Sequence, residues 1–241
     1  MSSSQKIIST RIDGKIFGSF SHLLDFFFPK TCLSCDDALK SKDLICQKCF
    51  SQLSFVTSSD INEHFMEYFS NSKNVSGLFS LLNFEKDTPI QDLIHLLKYG
   101  NKPIVGNYLG NLFAEKYRND LYELKISAIV PVPLYHSKKA ERGYNQSYHF
   151  AKGISRILGI KINSSTVVRT RKTETQTHLT REERNKNVEK AFRIKSNSKL
   201  DGKNILVVDD VITTGSTINE CTKIIKSAGA ENIYAGSIAL A

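Results

Sequence analysis

The stretch ILVVDDVITTGSTI, residues 205–218, limits the architecture more than any other part of the chain. An apolar, β-branched run ends in two adjacent carboxylates, Asp209 and Asp210. It then passes through Thr213, Thr214, Gly215, Ser216 and Thr217 into a segment where Ile218, Cys221, Ile224, Ile225 and Ala228 recur at helical spacing. A run that is apolar at successive positions needs cover on both faces, which is the condition of a strand inside a parallel sheet. A strand followed at once by an amphipathic helix is half of a βαβ unit.

The chain beyond residue 77 continues that alternation. GLFSLLNFE reads as a strand. Thr88, Pro89 and Gln91 predict a helix start, with Thr as N-cap, Pro at the first helical position and Gln closing a capping box. The helix turns Leu93, Ile94, Leu96 and Leu97 inward, and Gly100 is expected to end it in the left-handed conformation. PIVGNYLGNLFAEKY is a second helix and ISAIVPVP (126–133) a buried strand. A further helix runs to about 158, with Phe150, Ala151, Ile154, Ile157 and Leu158 on one face and Gly143 opening it. STVVRT, AFRI and IYAGSIAL are strands, and Thr180 with Glu183 forms a second capping box. Strands alternating with helices predict an α/β fold built on a doubly wound parallel sheet.

In such sheets ligands bind beyond the carboxyl ends of the strands, where the 209–217 loop lies. Backbone N–H groups at a helix start attract an anion, and Gly215 lets the backbone approach it while the hydroxyls add donors. The carboxylates repel a phosphate but accept hydrogen bonds from sugar hydroxyls. Phosphate and diol together describe a ribose 5-phosphate. The competing reading is a buried strand followed by a helix-capping cluster.

Two more segments carry positive charge. VPVPLYHSKKAERGYNQS (130–147) follows a strand and presents Lys138, Lys139 and Arg142, suited to a pyrophosphate or to nucleic acid; a solvated basic loop is the alternative. Tyr144, Tyr148 and His149 lie near it as candidate stacking side chains, or as helix surface or core. RTRKTETQTHLTREERNKN is long, polar and basic, as lids and binding loops are, or it is a surface insertion.

Cys32, Cys35, Cys46 and Cys49 form two C-x-x-C pairs, a soft four-ligand set that suits structural zinc and leaves no coordination position for an attacking water. Buried or redox-active cysteines are the alternatives, and Cys221 is expected in the core. The domain plan is an extension over 1–25, a four-cysteine zinc module over 26–55, a polar linker over 56–76 with one short helix, and an α/β domain over 77–241.

At 241 residues, 33 Lys+Arg against 24 Asp+Glu leave a formal charge of +9, which favours an anionic partner. No apolar run reaches the roughly 18 residues of a membrane span, and the chain is expected to be cytoplasmic. Free thiols fit that compartment.

VVDDVITTGST resembles the phosphoribosyl pyrophosphate (PRPP) motif of type I phosphoribosyltransferases. That resemblance implies that Asp209 and Asp210 hold the ribose hydroxyls and that 213–217 cradle the 5-phosphate. The polar stretch after 169 resembles the flexible hood of these enzymes, with Gln176, Arg181 and Arg184 as hood residues. FFFPKTCLSC…CQKC, LLKYGNK, PVPLYHSKKAERGYNQS, TETQTHLTREERNKNV and the PRPP motif resemble, in order, the ComF family from about residue 26 to 241. The resemblance implies a type I phosphoribosyltransferase-like fold with a small zinc ribbon or knuckle, PRPP or ribose phosphate as ligand with Mg²⁺, and a part in DNA uptake during natural transformation. Single-stranded DNA and the uptake machinery are the implied partners. Lys138 and Lys139 stand where relatives often carry arginines. The alternative is an active Mg²⁺-dependent phosphoribosyltransferase on an unidentified base or amine, with Arg142, Asp209 and Asp210 as catalytic candidates. Thr213 stands where purine-base enzymes often carry a carboxylate, and it cannot act as a general base at neutral pH. Catalysis is therefore left open.

Overall fold

The structure is a computed structural model that describes residues 31–39, 43–172, 183, 188–195 and 200–241. The chain divides into two compact units between Gln47 and Lys48. Among the described residues, no helix is long and apolar enough to cross a membrane.

In the first unit the chain turns back on itself around the first cysteine pair. Thr31 and Ala38 form an antiparallel bridge, the Cys32 N–H donates to the Asp37 carbonyl at 2.8 Å, and Asp36 takes a positive φ of 61° in the turn. The Leu33 N–H reaches the Leu44 carbonyl at 2.9 Å, which brings the second pair alongside the first.

Helix α1 (Gln47–Ser51) starts at the last residue of the first unit, and helix α2 (Ser58–Tyr68) lies within the second. Thr57 starts α2 with a full capping box: its hydroxyl accepts the Asp60 N–H and the Asp60 carboxylate accepts the Thr57 N–H. Residues 56–76, expected as a linker, belong to this unit. The Val56 N–H bonds the Leu81 carbonyl, and Phe69 and Val75 are buried in the core. The segment's Ser/Asn content hid this, because a few apolar side chains, Ile61, Phe65 and Phe69, make the packing.

The remaining elements are β1 (Gly77–Asn83), α3 (Pro89–Tyr99), α4 (Pro103–Lys116), α5 (Arg118–Glu123), β2 (Ile126–Pro131), α6 (His136–Arg142), α7 (Gln146–Leu158), β3 (Val167–Arg169), β4 (Phe192–Ile194), β5 (Asn204–Ile212), α8 (Ser216–Ser227) and β6 (Asn232–Leu240). A four-stranded sheet in the order β1-β6-β5-β2 is parallel throughout, as the alternation of strands and helices predicts. β3 and β4 are not part of it. They form a separate antiparallel ribbon, because the segments flanking the 170–191 excursion return side by side.

Successive side chains of β5 point to opposite faces. Ile205 and Val207 join a cluster with Phe69, Val167, Phe192, Ile218, Cys221 and Ile225, so α8 and the β3–β4 ribbon cover that face. Leu206 and Val208 lie with Phe113 of α4 around Gly236 on the other face. There Phe113 meets Phe150 of α7 edge-on at 5.2 Å. α4 and α7 approach closely enough that a Cβ on Gly153 would fall 2.3 Å from the Asn107 carbonyl oxygen, which fixes the position of α7 on the sheet.

Three local expectations change. Thr88 precedes α3, but its hydroxyl donates to the Glu85 carbonyl, while Gln91 accepts the Asp87 N–H, so no capping box forms. Gly100 has φ −86°, and the left-handed residue is Asn101 at φ 50°. Gly143 closes α6 at φ 76°; Asn145 caps α7 instead. The Thr180–Glu183 box lies outside the described residues.

Candidate functional site: an acid pair beside a glycine-opened helix

Asp209 and Asp210 sit where the sheet opens. β2 ends with Pro131 opposite Val208, whereas β5 continues beside β6 to Ile212. The acids therefore occupy strand positions with one neighbour missing, the crevice that the sheet topology predicts for a ligand.

Strand alternation sends the two carboxylates to different surroundings. Asp210 Oδ2 lies 3.3 Å from Lys98 Nζ at the end of α3, and Asp210 Oδ1 accepts the Val211 N–H. Asp209 interacts electrostatically with Arg169 of β3 and with Cys221 of α8. Its Oδ1 accepts the Ser147 hydroxyl at 2.8 Å and the Asp210 N–H at 2.9 Å. Burial, and then the Asp210 carboxylate, push the Asp209 carboxyl up to about 7, while the Ser147 and Asp210 bonds and Lys98 pull it back down. A carboxyl held there suits a site whose ligand supplies hydroxyl donors or a cation.

Ser147 is delivered by the α7 cap. Asn145 Oδ1 accepts the Ser147 N–H, and Asn145 Nδ2 donates to the Val132 carbonyl just past β2, so one side chain ties the strand end to the helix start.

The loop after the acids closes over a small pocket lined by Asp209, Thr213, Gly215, Ser216 and Thr217. Thr214 and Ser216 share a 2.8 Å hydroxyl contact. Gly215 has φ 66° and immediately precedes α8, so the loop ends on a helix start. A Cβ there would fall 2.4 Å from the Phe69 ring. The segment around α2 thus supports the loop from below. The His64 ring also bonds the Thr213 backbone, and Asn219 Nδ2 donates to the Tyr68 carbonyl at 3.3 Å.

The basic residues divide. Lys138 and Arg142 share one side of α6; burial lowers the Lys138 ammonium below its usual value, and the charges of Arg169 and Arg142 lower it further. Lys139 is exposed. Arg142 lies over the Tyr99 ring at 5.3 Å. Tyr144 is engaged structurally, its hydroxyl donating to the Leu97 carbonyl at 2.6 Å and its ring edge-on to His149. Gln176, Arg181 and Arg184 lie outside the described residues. Lys98, Ser147 and Arg169 were missed as site residues. Lys98 and Ser147 fall within LLKYGNK and RGYNQS, motifs whose likeness to relatives was visible but whose approach to the acids was not.

The four thiols of Cys32, Cys35, Cys46 and Cys49 all lie within 4.8 Å of one another, with Cys35 and Cys46 Sγ 3.6 Å apart. Zn–S bonds of about 2.3 Å at tetrahedral angles place sulfurs roughly 3.8 Å apart, so the cluster fits zinc. Burial pushes the Cys32 thiol up, but the Cys35, Cys46 and Ser34 backbone N–H groups outweigh it and leave it at about 6, favouring the thiolate a metal needs. Cys221, buried in the core as expected, has its thiol pushed up by burial.

Residues 140–241 match the family model described as a phosphoribosyl transferase domain, and residues 23–60 match that of a double zinc ribbon domain. With the parallel sheet and the thiol cluster, this defines a protein of type I phosphoribosyltransferase fold that carries an N-terminal structural zinc module. Competence protein F of Haemophilus influenzae is 36% identical over 157 residues, covering 64% of this chain and 69% of that protein. DNA utilization protein YhgH of Escherichia coli K12 is 33% identical over 145 residues, covering 59% of this chain and 63% of its own length. Adenine phosphoribosyl transferase from Trypanosoma brucei superposes with a TM-score of 0.40 at 12% identity, over 64% of this chain and 69% of its own. The chain belongs to the ComF family of competence proteins.

Proposed function

We propose that this protein binds PRPP, or a ribose phosphate, at the end of β5 and serves DNA uptake by handling single-stranded DNA. The observation that carries the ligand is the acid pair at the open edge of β5, set directly before a glycine-opened helix start. Asp209 and Asp210 hold the ribose hydroxyls, and residues 213–217 take the 5-phosphate. Mg²⁺, when bound with PRPP, offsets the ligand's charge. The names of the relatives, competence protein F and DNA utilization protein, support the DNA role, as does the surplus of basic residues.

The ligand assignment is tested by calorimetry with PRPP and Mg²⁺. Changing Asp209 and Asp210 together to Asn keeps volume but removes charge-assisted acceptors, each such bond contributing roughly 1.5–3 kcal/mol. Binding should be abolished; an unchanged affinity would remove the ribose assignment. The DNA assignment is tested by salt. Affinity should fall with a log–log slope of about −0.7 per phosphate, and changing Lys138, Lys139 and Arg142 together to Ala should make it shallower by roughly two units.

A second reading, transfer of the ribose phosphate to a base or amine, is favoured by the groove of about 450 Å³ beside Lys98, which offers room for an acceptor next to the acids. Pyrophosphate release from PRPP on addition of a base, without salt-dependent DNA binding, would establish it in place of the first.

A further inference from the structure

That groove is lined by Lys98, Tyr99, Asn101, Ala140, Glu141, Arg142 and Gly143. Tyr99, the last residue of α3, is 62% exposed. The Arg142 guanidinium lies over the ring at 5.3 Å and His95 leans on it at 5.1 Å, so its orientation is held. Lys98, adjacent in sequence, ion-pairs with Asp210. The groove therefore pairs an exposed aromatic face with the cations Lys98 and Arg142 beside the Glu141 carboxylate, and Lys98 links it to the acid pair.

We infer that Tyr99 and Arg142 form a stacking subsite for a nucleobase. A planar base extends the guanidinium–ring stack on its solvent side, and Arg142 and Lys98 meet the phosphate charge that accompanies a nucleotide. The ring of Tyr99 fills the stacking role for which Tyr144 is unavailable, because Tyr144 donates its hydroxyl to Leu97 and packs on His149. This inference rests on the proposed nucleotide-binding function and adds to it the place and manner of base recognition. A base in single-stranded DNA and a free acceptor base present the same planar face, and the experiment separates them.

The test compares an oligothymidine with an abasic oligonucleotide of equal length, by fluorescence anisotropy on the full chain. Tyr99→Ala should weaken oligothymidine binding by about 5–150-fold, the range of one stacked base, with the abasic strand and the salt slope unaffected. Tyr99→Phe should restore binding, and Tyr122→Ala, an exposed ring on α5, should change nothing. Thermal melts of each variant exclude unfolding as the cause. In a second arm, adenine, guanine and uracil are titrated calorimetrically against the PRPP–Mg²⁺ complex. Loss confined to this arm in Tyr99→Ala assigns the subsite to an acceptor base and leaves the subsite standing. Equal weakening of thymidine and abasic strands, with free-base binding unchanged or absent, overturns it. Absence of any DNA binding by the unaltered protein counts against the DNA function, and the free-base arm alone then decides the subsite.

Discussion

Lys98 Nζ lies 3.3 Å from Asp210 Oδ2, linking the last turn of α3 to the open end of β5. The pair is mostly shielded, with 24% and 13% of the two side chains exposed, and Lys98 also helps hold the Asp209 carboxyl down. One cation thus serves both carboxylates of the site.

Replacing Lys98 with Met should keep the aliphatic stem and remove the charge. Stability should fall by about 1 kcal/mol, the upper range for pairs near a surface. The pH at which PRPP and Mg²⁺ begin to bind should rise, because Asp209 then ionises later. Urea unfolding at pH 7 and calorimetry across pH 5–8 measure the two effects.

Asp209 makes the stability of the ligand-free protein pH-dependent. Its carboxyl titrates near about 4 when unfolded but is pushed up to about 7 when folded. The folded state therefore holds the proton more tightly, so this group's contribution is full below about pH 4 and is lost as pH rises through about 7. Asp209→Asn should flatten that decline. Urea midpoints of both proteins at pH 5 and pH 7.5 check it: the parent should lose stability relative to the variant at the higher pH.

Gly215→Ala should strike the loop and its support together. The new methyl meets the Phe69 ring at 2.4 Å and the residue must hold φ 66°. Overpacking of this kind costs about 1–3 kcal/mol, with roughly 1–2 kcal/mol more for left-handed backbone. PRPP binding should weaken at least tenfold. Adding Phe69→Leu should return part of it, since the leucine yields space. Absence of any rescue would show that the backbone conformation, and not the ring, sets the loop.

Cys46→Ser should remove zinc from a chain that otherwise carries one ion, because three remaining thiolates leave the tetrahedral shell open. Elemental analysis of protein purified without chelators reads the loss. PRPP binding should persist, as the acid pair and its loop are held by α2, α7 and α8.

Much of this molecule could be read from one dimension. The apolar run of 205–208, the acids and the helical spacing after Gly215 follow from which residues can be buried on both faces of a strand, on one side of a helix, or in neither. The two C-x-x-C pairs state their ligand chemistry equally locally. The basic helix of 136–142 was legible as charge, but not as a surface with one half-buried lysine and one arginine resting on a tyrosine. Contacts between distant segments carry no sequence period, and those decided the rest. Lys98 reaches Asp210 from the end of α3, Ser147 reaches Asp209 across 62 positions, and Phe69 fills the space beneath Gly215 because a parallel sheet gathers its strand ends and helix starts at one edge. The sequence determined that two acids and a hydroxyl-rich loop with one glycine would follow the β5 run; only the tertiary structure decided which side chains would hold the carboxylates apart, since strand alternation turns Asp209 and Asp210 toward opposite faces and each face is built from a different stretch of chain.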